Sequence, residues 1–108
     1  MTRATAQLAE QGEGRCTVSG SLTLETAPWL WRELTSGGLL TAATDVDLAG
    51  VSETDSAGLA LLITWRACRR LDGGDMNFSG LPQRLQLLAA LTGAEAALLA
   101  PAADAAGA

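Results

Sequence analysis

The sequence predicts an α/β fold, in which a mixed sheet of four to five strands has about three to four helices packed against it. Segments that alternate apolar and polar residues, as half-buried strands do, are interspersed with segments whose apolar residues recur at helical spacing. The resulting order is β, β, α, β, α, β, α. It includes a strand–helix–strand unit, which implies a parallel pair joined by a right-handed crossover. With 108 residues, the chain has room for one domain and one core.

The chain begins with a polar, glycine-flanked segment, residues 1–14, in which a short first strand is expected around Ala6 to Ala9. The next segment, Arg15 to Gly20, alternates and places Cys16 and Val18 on one face of a second strand. Residues 22–24 are expected to extend the sheet. The domain proper is predicted to span residues 15–100.

A first helix is predicted to follow, with Thr26 as its cap and Pro28 in its first turn. Its inward face, at i, i+3, i+4 and i+7, consists of Ala27, Leu30, Trp31 and Leu34. Trp29 points the other way on the same helical wheel. Because tryptophan is enriched among the residues that dominate binding at interfaces, Trp29 is a candidate partner contact, although a surface tryptophan without a role is the alternative.

The second half of the chain predicts a strand at Asp45–Gly50, a helix at Ser56–Leu71, a strand at Met76–Gly80 and a helix that starts at Pro82. The inward residues of this last helix are expected to be Leu85, Leu88, Ala89 and Leu91. A further turn is expected between Ala94 and Leu99. Residues 101–108 are alanine-rich and are predicted to form a frayed tail.

Composition excludes several functional classes. The formal net charge of −5 makes the chain a poor ligand for nucleic acid or for anionic lipid headgroups. The chain contains neither histidine nor lysine, which removes the commonest general base, a Ser-Lys nucleophile and a P-loop lysine. Cys16 and Cys68 lack a zinc spacing and are interpreted as small buried hydrophobes. We therefore expect no enzyme activity, no metal and no cofactor. Without a signal segment or a long apolar run, the cytoplasm is the expected location.

The most informative segment is the junction between the second clear strand and the second helix, where Asp55-Ser56-Ala57-Gly58 stands. Ser56 is predicted to lie at the start of the helix, where unpaired backbone N–H groups favour an anionic oxygen. The alternative is that Ser56, or Asp55 before it, merely caps the helix. Gly58 lies in the first turn, where close approach of another backbone, from the same fold or from a partner, would account for it.

The helical wheel of residues 56–71 predicts which face of this helix packs on the sheet. The residues predicted to face inward are Ala57, Ala60, Ile63, Thr64, Ala67, Cys68 and Leu71. Leu59 and Leu62 then lie on the opposite side with Asp55, Arg66 and Arg69, forming a small apolar patch with a basic end. Such a patch suits a protein interface. The alternative is that the C-terminal helix covers both leucines; Trp65 lies at the boundary.

The chain resembles the STAS domain family over about residues 15–100. The resemblance is carried by the strand Val46–Gly50 with the turn Asp55–Leu59, by Gly20–Thr23 with Thr26–Pro28, and by Phe78–Pro82 with the leucines that follow. Two groups of that family matter. One comprises anti-sigma factor antagonists, which are switched by phosphorylation of the turn serine. The other comprises MlaB-type subunits of the bacterial phospholipid ABC transporter, and the run 55–66 with the Leu30-Trp31 pair looks more like this second group.

The resemblance implies a non-catalytic accessory subunit that docks on the transporter's cytoplasmic ATPase, with the permease in a larger complex. It implies a location peripheral to the inner membrane, without membrane insertion, nucleic acid or a small-molecule substrate. The alternative is an anti-sigma factor antagonist with Ser56 as phosphoacceptor. The expected partner-binding residues are Thr54, Asp55, Ser56, Ala57, Gly58, Leu59, Leu62, Arg66 and Trp29.

Overall fold

A computed structural model describes residues 4–100 of the chain. Within this range it contains four strands and five helices. The strands are β1 (Ala6–Gly12), β2 (Arg15–Leu22), β3 (Asp45–Thr54) and β4 (Asn77–Ser79). The helices are α1 (Ala27–Gly37), α2 (Leu39–Ala42), α3 (Ser56–Leu71), α4 (Gln83–Thr92) and α5 (Glu95–Leu99). The predicted α/β class is confirmed, and the helix count exceeds the prediction because α2 and α5 are each about one turn long.

The four strands form one mixed sheet in the order β1-β2-β3-β4. Strands β1 and β2 make an antiparallel hairpin, whereas β2–β3 and β3–β4 are parallel pairs. The parallel pair predicted around the second long helix is confirmed, since α3 connects β3 to β4. Strand β1 is longer than predicted and belongs to the same sheet, so residue 14 falls within the β1–β2 hairpin. The predicted tail, residues 101–108, lies outside the described residues.

One face of the sheet packs on the helices and the other faces solvent. In β3, Val46 and Leu48 are fully buried, whereas Asp45 and Asp47, which alternate with them, are exposed. In β2, Cys16 and Val18 are buried on the same side, as their alternation predicts. The carboxyl ends of β2 and β3 meet at one edge of the sheet, because the two strands are parallel, with Leu22 paired to Thr54. This edge carries Asp55 and the candidate docking surface around it.

The predicted inward residues of α1 lie toward the core, whereas one predicted inward residue of α4 does not. In α1, Leu30 and Leu34 are buried, as predicted. In α4, Leu85 and Ala89 are buried, but Leu91, which was expected inside, is 74% exposed. At about 100° per residue, Leu91 lies about 120° from Leu85 and about 160° from Ala89, so it is on the other side of α4 from the buried residues.

Both cysteines are free thiols. Cys16 is buried, and burial together with the nearby Glu10 carboxylate raises its pKa to about 11. It is therefore protonated at neutral pH and acts as the small apolar residue that the sequence predicts. Cys68 is only half-buried, so the prediction that it is a core residue is wrong in that respect.

Candidate docking surface

The junction between β3 and α3 is one residue long. Strand β3 continues to Thr54, Asp55 alone intervenes, and α3 begins at Ser56. The Oδ1 atom of Asp55 accepts hydrogen bonds from the backbone N–H groups of Ala57, at 2.9 Å, and Gly58, at 3.1 Å. Asp55 is therefore the N-cap of α3, and Ser56 is the first helical residue, with an exposed side chain.

The second oxygen of the same carboxylate reaches a different part of the chain. Asp55 Oδ2 accepts a hydrogen bond from the backbone N–H of Leu24 at 3.1 Å. The sequence predicts that Leu24 extends β2, and this prediction is wrong. Leu24 lies in the loop before α1, and 72% of its surface is exposed. A sequence reading misses Leu24 because an isolated leucine after a strand looks like the end of that strand.

The loop that carries Leu24 is tightly hydrogen-bonded. Thr26 precedes α1, but its hydroxyl caps nothing; it donates to the carbonyl of Ser21 at 2.7 Å and accepts from the N–H of Thr23 at 3.0 Å. The carbonyl of Thr23 in turn accepts from the N–H groups of Thr26 and Ala27. The loop is therefore held from both sides, and Leu24 is presented in a fixed position.

The Asp55 carboxylate is ionised at neutral pH. Burial raises the pKa of Asp55, but the three backbone N–H groups that donate to its carboxylate outweigh this effect. The positive charge of Arg84 adds to them, so the pKa of Asp55 lies below its ordinary value. The start of α3 consequently carries a fixed negative charge beside Ser56.

This arrangement corrects the expectation that the start of α3 offers unpaired N–H groups to an anion. The N–H groups of Ala57 and Gly58 already donate to Asp55, and that of Leu59 donates to the Asp55 carbonyl at 3.1 Å. A phosphate on Ser56 would have to share this helix end with the carboxylate that occupies it. What Ser56 presents to a partner is an exposed neutral hydroxyl next to a fixed negative charge.

Gly58 is required by the fold itself. A Cβ atom at this position would lie 2.2 Å from the carbonyl oxygen of Leu22 and 2.9 Å from Thr54 Oγ1. Of the two alternatives for Gly58, close approach within the same fold accounts for the residue. Thr54 is itself 6% exposed, so the prediction that its side chain contacts a partner is wrong. Its position at the end of β3 places it beneath the first turn of α3.

The prediction that Leu59 and Leu62 face outward is wrong, because they are 4% and 0% exposed and belong to the core. The buried face of α3 thus lies on the side of the helix opposite to the predicted inward face. The exposed residues of α3 are small or short over its first three turns, namely Ser56, Ala60, Thr64 and Ala67, and Arg70 and Leu71 are exposed at its end. Large apolar side chains fill the core better than alanines, and this decides which face is buried.

Trp65 and Arg66 are also buried rather than exposed or at a boundary. The indole N–H of Trp65 donates to the carbonyl of Leu39 at 3.0 Å. Arg66 is 1% exposed, so it cannot form the basic end of a surface patch, as predicted. It pairs with Asp75 at 3.0 Å and donates to the carbonyls of Leu98 and Ala100. Arg66 therefore ties the end of α5 to α3.

Trp29 lies on the same side of the molecule as the start of α3. It is 36% exposed and contributes to a depression of about 210 Å³ that also includes Thr5 and Glu25. Both of these residues also line a larger cleft that continues to Leu24 and Asp55. We call the surface formed by Leu24, Glu25, Trp29, Asp55 and Ser56 the docking surface. The two depressions connect Asp55 with Trp29 through Thr5 and Glu25, and Ser56 directly follows Asp55 in the chain. Ala57 is half-buried next to Ser56, and the partner contact of these residues stays a prediction.

The four-stranded mixed sheet and the helices packed on it agree with the fold of a STAS domain. The family model described as "Mlab, STAS domain" matches residues 6–100, and the chain belongs to this family. Members of the family are generally non-enzymatic regulatory or accessory proteins. No curated protein matches the chain. None of the helices within residues 4–100 has the length and apolar character needed to traverse a lipid bilayer.

Proposed function

We propose that this protein is a non-catalytic accessory subunit that docks on the cytoplasmic ATPase of a bacterial phospholipid ABC transporter. By docking, it supports the ATP-driven transport that maintains the lipid asymmetry of the outer membrane, and it is held at the inner membrane through the complex. The observation that carries the proposal is the exposed Ser56 hydroxyl at the start of α3, in a chain that the MlaB-type family model matches over residues 6–100.

The mechanism is binding alone. A rigid partner can shift the equilibrium between two arrangements of an ATPase only by its differential affinity for them. The docking surface is suited to this role because Asp55 fixes both the start of α3 and the Leu24 loop. A preorganised surface loses little conformational freedom on binding, so more of the contact energy remains to bias the ATPase. The ATP site belongs to the partner.

Co-purification from the native cell tests this proposal. Tagged protein should recover an ATPase and a permease, identified by mass spectrometry. The variant Ser56→Arg should lose both, because a large cation replaces a small hydroxyl in the contact. Ala90→Arg, at an exposed position on α4, should retain them. Recovery of an anti-sigma kinase in place of the ATPase and permease would contradict the proposal.

The exposure of the Ser56 hydroxyl also favours a second candidate, an anti-sigma factor antagonist switched by phosphorylation. Phosphate would add about −1.5 to −2 charges at this position. In that case, incubation with the co-purified kinase and ATP should shift the intact mass of the protein, and Ser56→Ala should abolish the shift. An unchanged mass of the wild-type protein would exclude this function.

A further inference from the structure

An acidic cleft adjoins the exposed Leu24 side chain. It has a volume of about 750 Å³ and lies at the edge where the carboxyl ends of β2 and β3 meet. The described residues that line it are Ala4, Thr5, Gly20, Ser21, Thr23, Leu24, Glu25, Ser52, Glu53 and Asp55. Three of these are carboxylates and none of the described lining residues is basic. Among the described residues the lining is therefore acidic, and the positive charge of Arg84 acts on it at Asp55, whose pKa it lowers.

Internal hydrogen bonds hold two of the three carboxylates in this cleft, those of Glu53 and Asp55, and use part of their capacity to accept hydrogen bonds. Glu53 Oε2 accepts a hydrogen bond from the Ser21 hydroxyl at 2.9 Å. Both oxygens of Asp55 accept from backbone N–H groups. Among the described residues no group of three or more potential metal ligands occurs, and an arginine or lysine side chain can donate to the lone pairs that remain.

Leu24 supplies the apolar part of the same surface. It is 72% exposed, yet its loop is fixed by the Asp55 carboxylate and by the Thr26 hydroxyl. An exposed leucine on a preorganised loop, beside fixed charges of one sign, has the composition of an interface anchor with a polar rim.

We infer that the acidic cleft receives a basic segment of the polypeptide partner, whose arginine or lysine side chains pair with Glu25, Glu53 and Asp55 while Leu24 enters an apolar pocket beside them. Charge complementarity selects this occupant, since nucleic acids and anionic lipids are repelled by the cleft and by the net charge of −5. The inference rests on the proposed function, because it describes the partner of the same docking surface.

Site-specific photo-crosslinking in the native cell tests the inference. A photoreactive amino acid replaces Leu24 in one strain and Leu91, which is 74% exposed on α4, in a matched control strain. Neither replacement disturbs the core, because both side chains face solvent. The crosslinked peptides are identified by mass spectrometry. Position 24 should capture a segment with at least two arginine or lysine residues beside apolar ones, and position 91 should not capture it.

The outcomes separate the inference from the proposed function. A basic segment of an ABC ATPase supports both, and a basic segment of another protein supports the inference while contradicting the proposed function. A neutral or acidic segment of the ATPase contradicts the inference and leaves the proposed function standing. Capture of a second copy of this chain, capture of the chain's own residues 1–3, or no crosslink above the position 91 level also overturns the inference.

The affinities of purified variants for the crosslinked partner measure how much Leu24 and the acidic residues contribute to binding. Leu24→Ser should weaken binding at least tenfold, which is the effect of losing a central anchor. The double variant Glu25→Gln/Glu53→Gln should weaken binding severalfold at low salt and reduce its salt dependence. Leu91→Ser is the control and should bind as the wild type does. Equal affinities for Leu24→Ser and Leu91→Ser would rule out the anchor role of Leu24.

Discussion

The Asp55 carboxylate accepts a hydrogen bond from the backbone N–H of Leu24, a residue 31 positions earlier in the chain. One side chain thus caps α3 with one oxygen and holds the loop before α1 with the other. Because of this link, Ser56 and Leu24 are parts of one rigid surface. The docking account depends on that rigidity, and the first two predictions test it.

Replacing Asp55 with alanine should destabilise the domain by about 1–2 kcal/mol, since it removes both the helix cap and the tie to Leu24. Asp55→Asn should recover part of the loss, because asparagine is also a good N-cap residue. Urea denaturation measures both effects. The matched control is Asp72→Ala, whose carboxylate is largely exposed and lies 3.9 Å from Arg69. Equal stability of the Asp55→Ala and Asp72→Ala variants would argue against the link.

The stabilisation that Asp55 provides should depend on pH. Its pKa in the folded chain lies below the ordinary value of 3.8, because the backbone N–H groups stabilise the charged form. The contribution is therefore fully present well above pH 4 and is lost as the pH falls through the folded-state pKa. The difference in unfolding free energy between wild type and Asp55→Asn should shrink on going from about pH 7 to about pH 3. A difference that grows on acidification would reverse the assigned sign.

Gly58→Ala should destabilise the protein although alanine is the better helix former. The new Cβ would meet the Leu22 carbonyl oxygen at 2.2 Å, and overpacking of this kind costs about 1–3 kcal/mol. Gly37→Ala is the control, because a Cβ at this position meets nothing within 4 Å. This substitution should leave stability unchanged or raise it slightly. Thermal unfolding compares the two variants, and a Gly58→Ala protein as stable as wild type would show that the approach of α3 to β2 is looser than described.

Arg66 should matter for stability rather than for docking. Its guanidinium is buried against Asp75 and the carbonyls of Leu98 and Ala100. Arg66→Ala should therefore cost about 1–3 kcal/mol, since it removes the buried donor that the carbonyls of Leu98 and Ala100 accept from. Hydrogen exchange at the N–H of Leu98 should accelerate, because α5 loses its tie to α3. Arg70→Ala, which removes a half-exposed partner of the same Asp75, should cost about 1 kcal/mol or less.

Local patterns in the sequence were sufficient to predict the strands, the long helices and the capped junction. Helix α3 begins at Ser56 and ends at Leu71, as its flanking residues predict, and the buried alternation of Val46 and Leu48 is confirmed. These features depend on neighbours in the chain, so a pattern of period 2 or 3.6 and a capping residue are enough to reveal them.

The orientation of α3 and the role of Leu24 could not be predicted in this way. Apolar residues occur on both sides of α3, with Ile63 and Leu71 on one side and Leu59 and Leu62 on the other, so its wheel allows two orientations. Only the volume of the core selects the face with Leu62 and Trp65. The N–H of Leu24 finds Asp55 across 31 residues, a contact that no local periodicity encodes. The sequence therefore predicts the exposed Ser56 correctly. It predicts Leu59 and Leu62 as the exposed leucines beside Ser56, whereas in the structure both are buried and Leu24 is exposed.

The most direct test of the docking surface is the affinity of three purified proteins for the partner ATPase, measured side by side in solution. The docking account predicts that Ser56→Arg binds at least tenfold more weakly than wild type, while Ala90→Arg, equally exposed but on α4, binds with wild-type affinity. Circular dichroism spectra of both variants should match that of the wild type, which shows that they are folded. Undiminished binding by a folded Ser56→Arg protein, or an equal loss in both variants, would contradict the account.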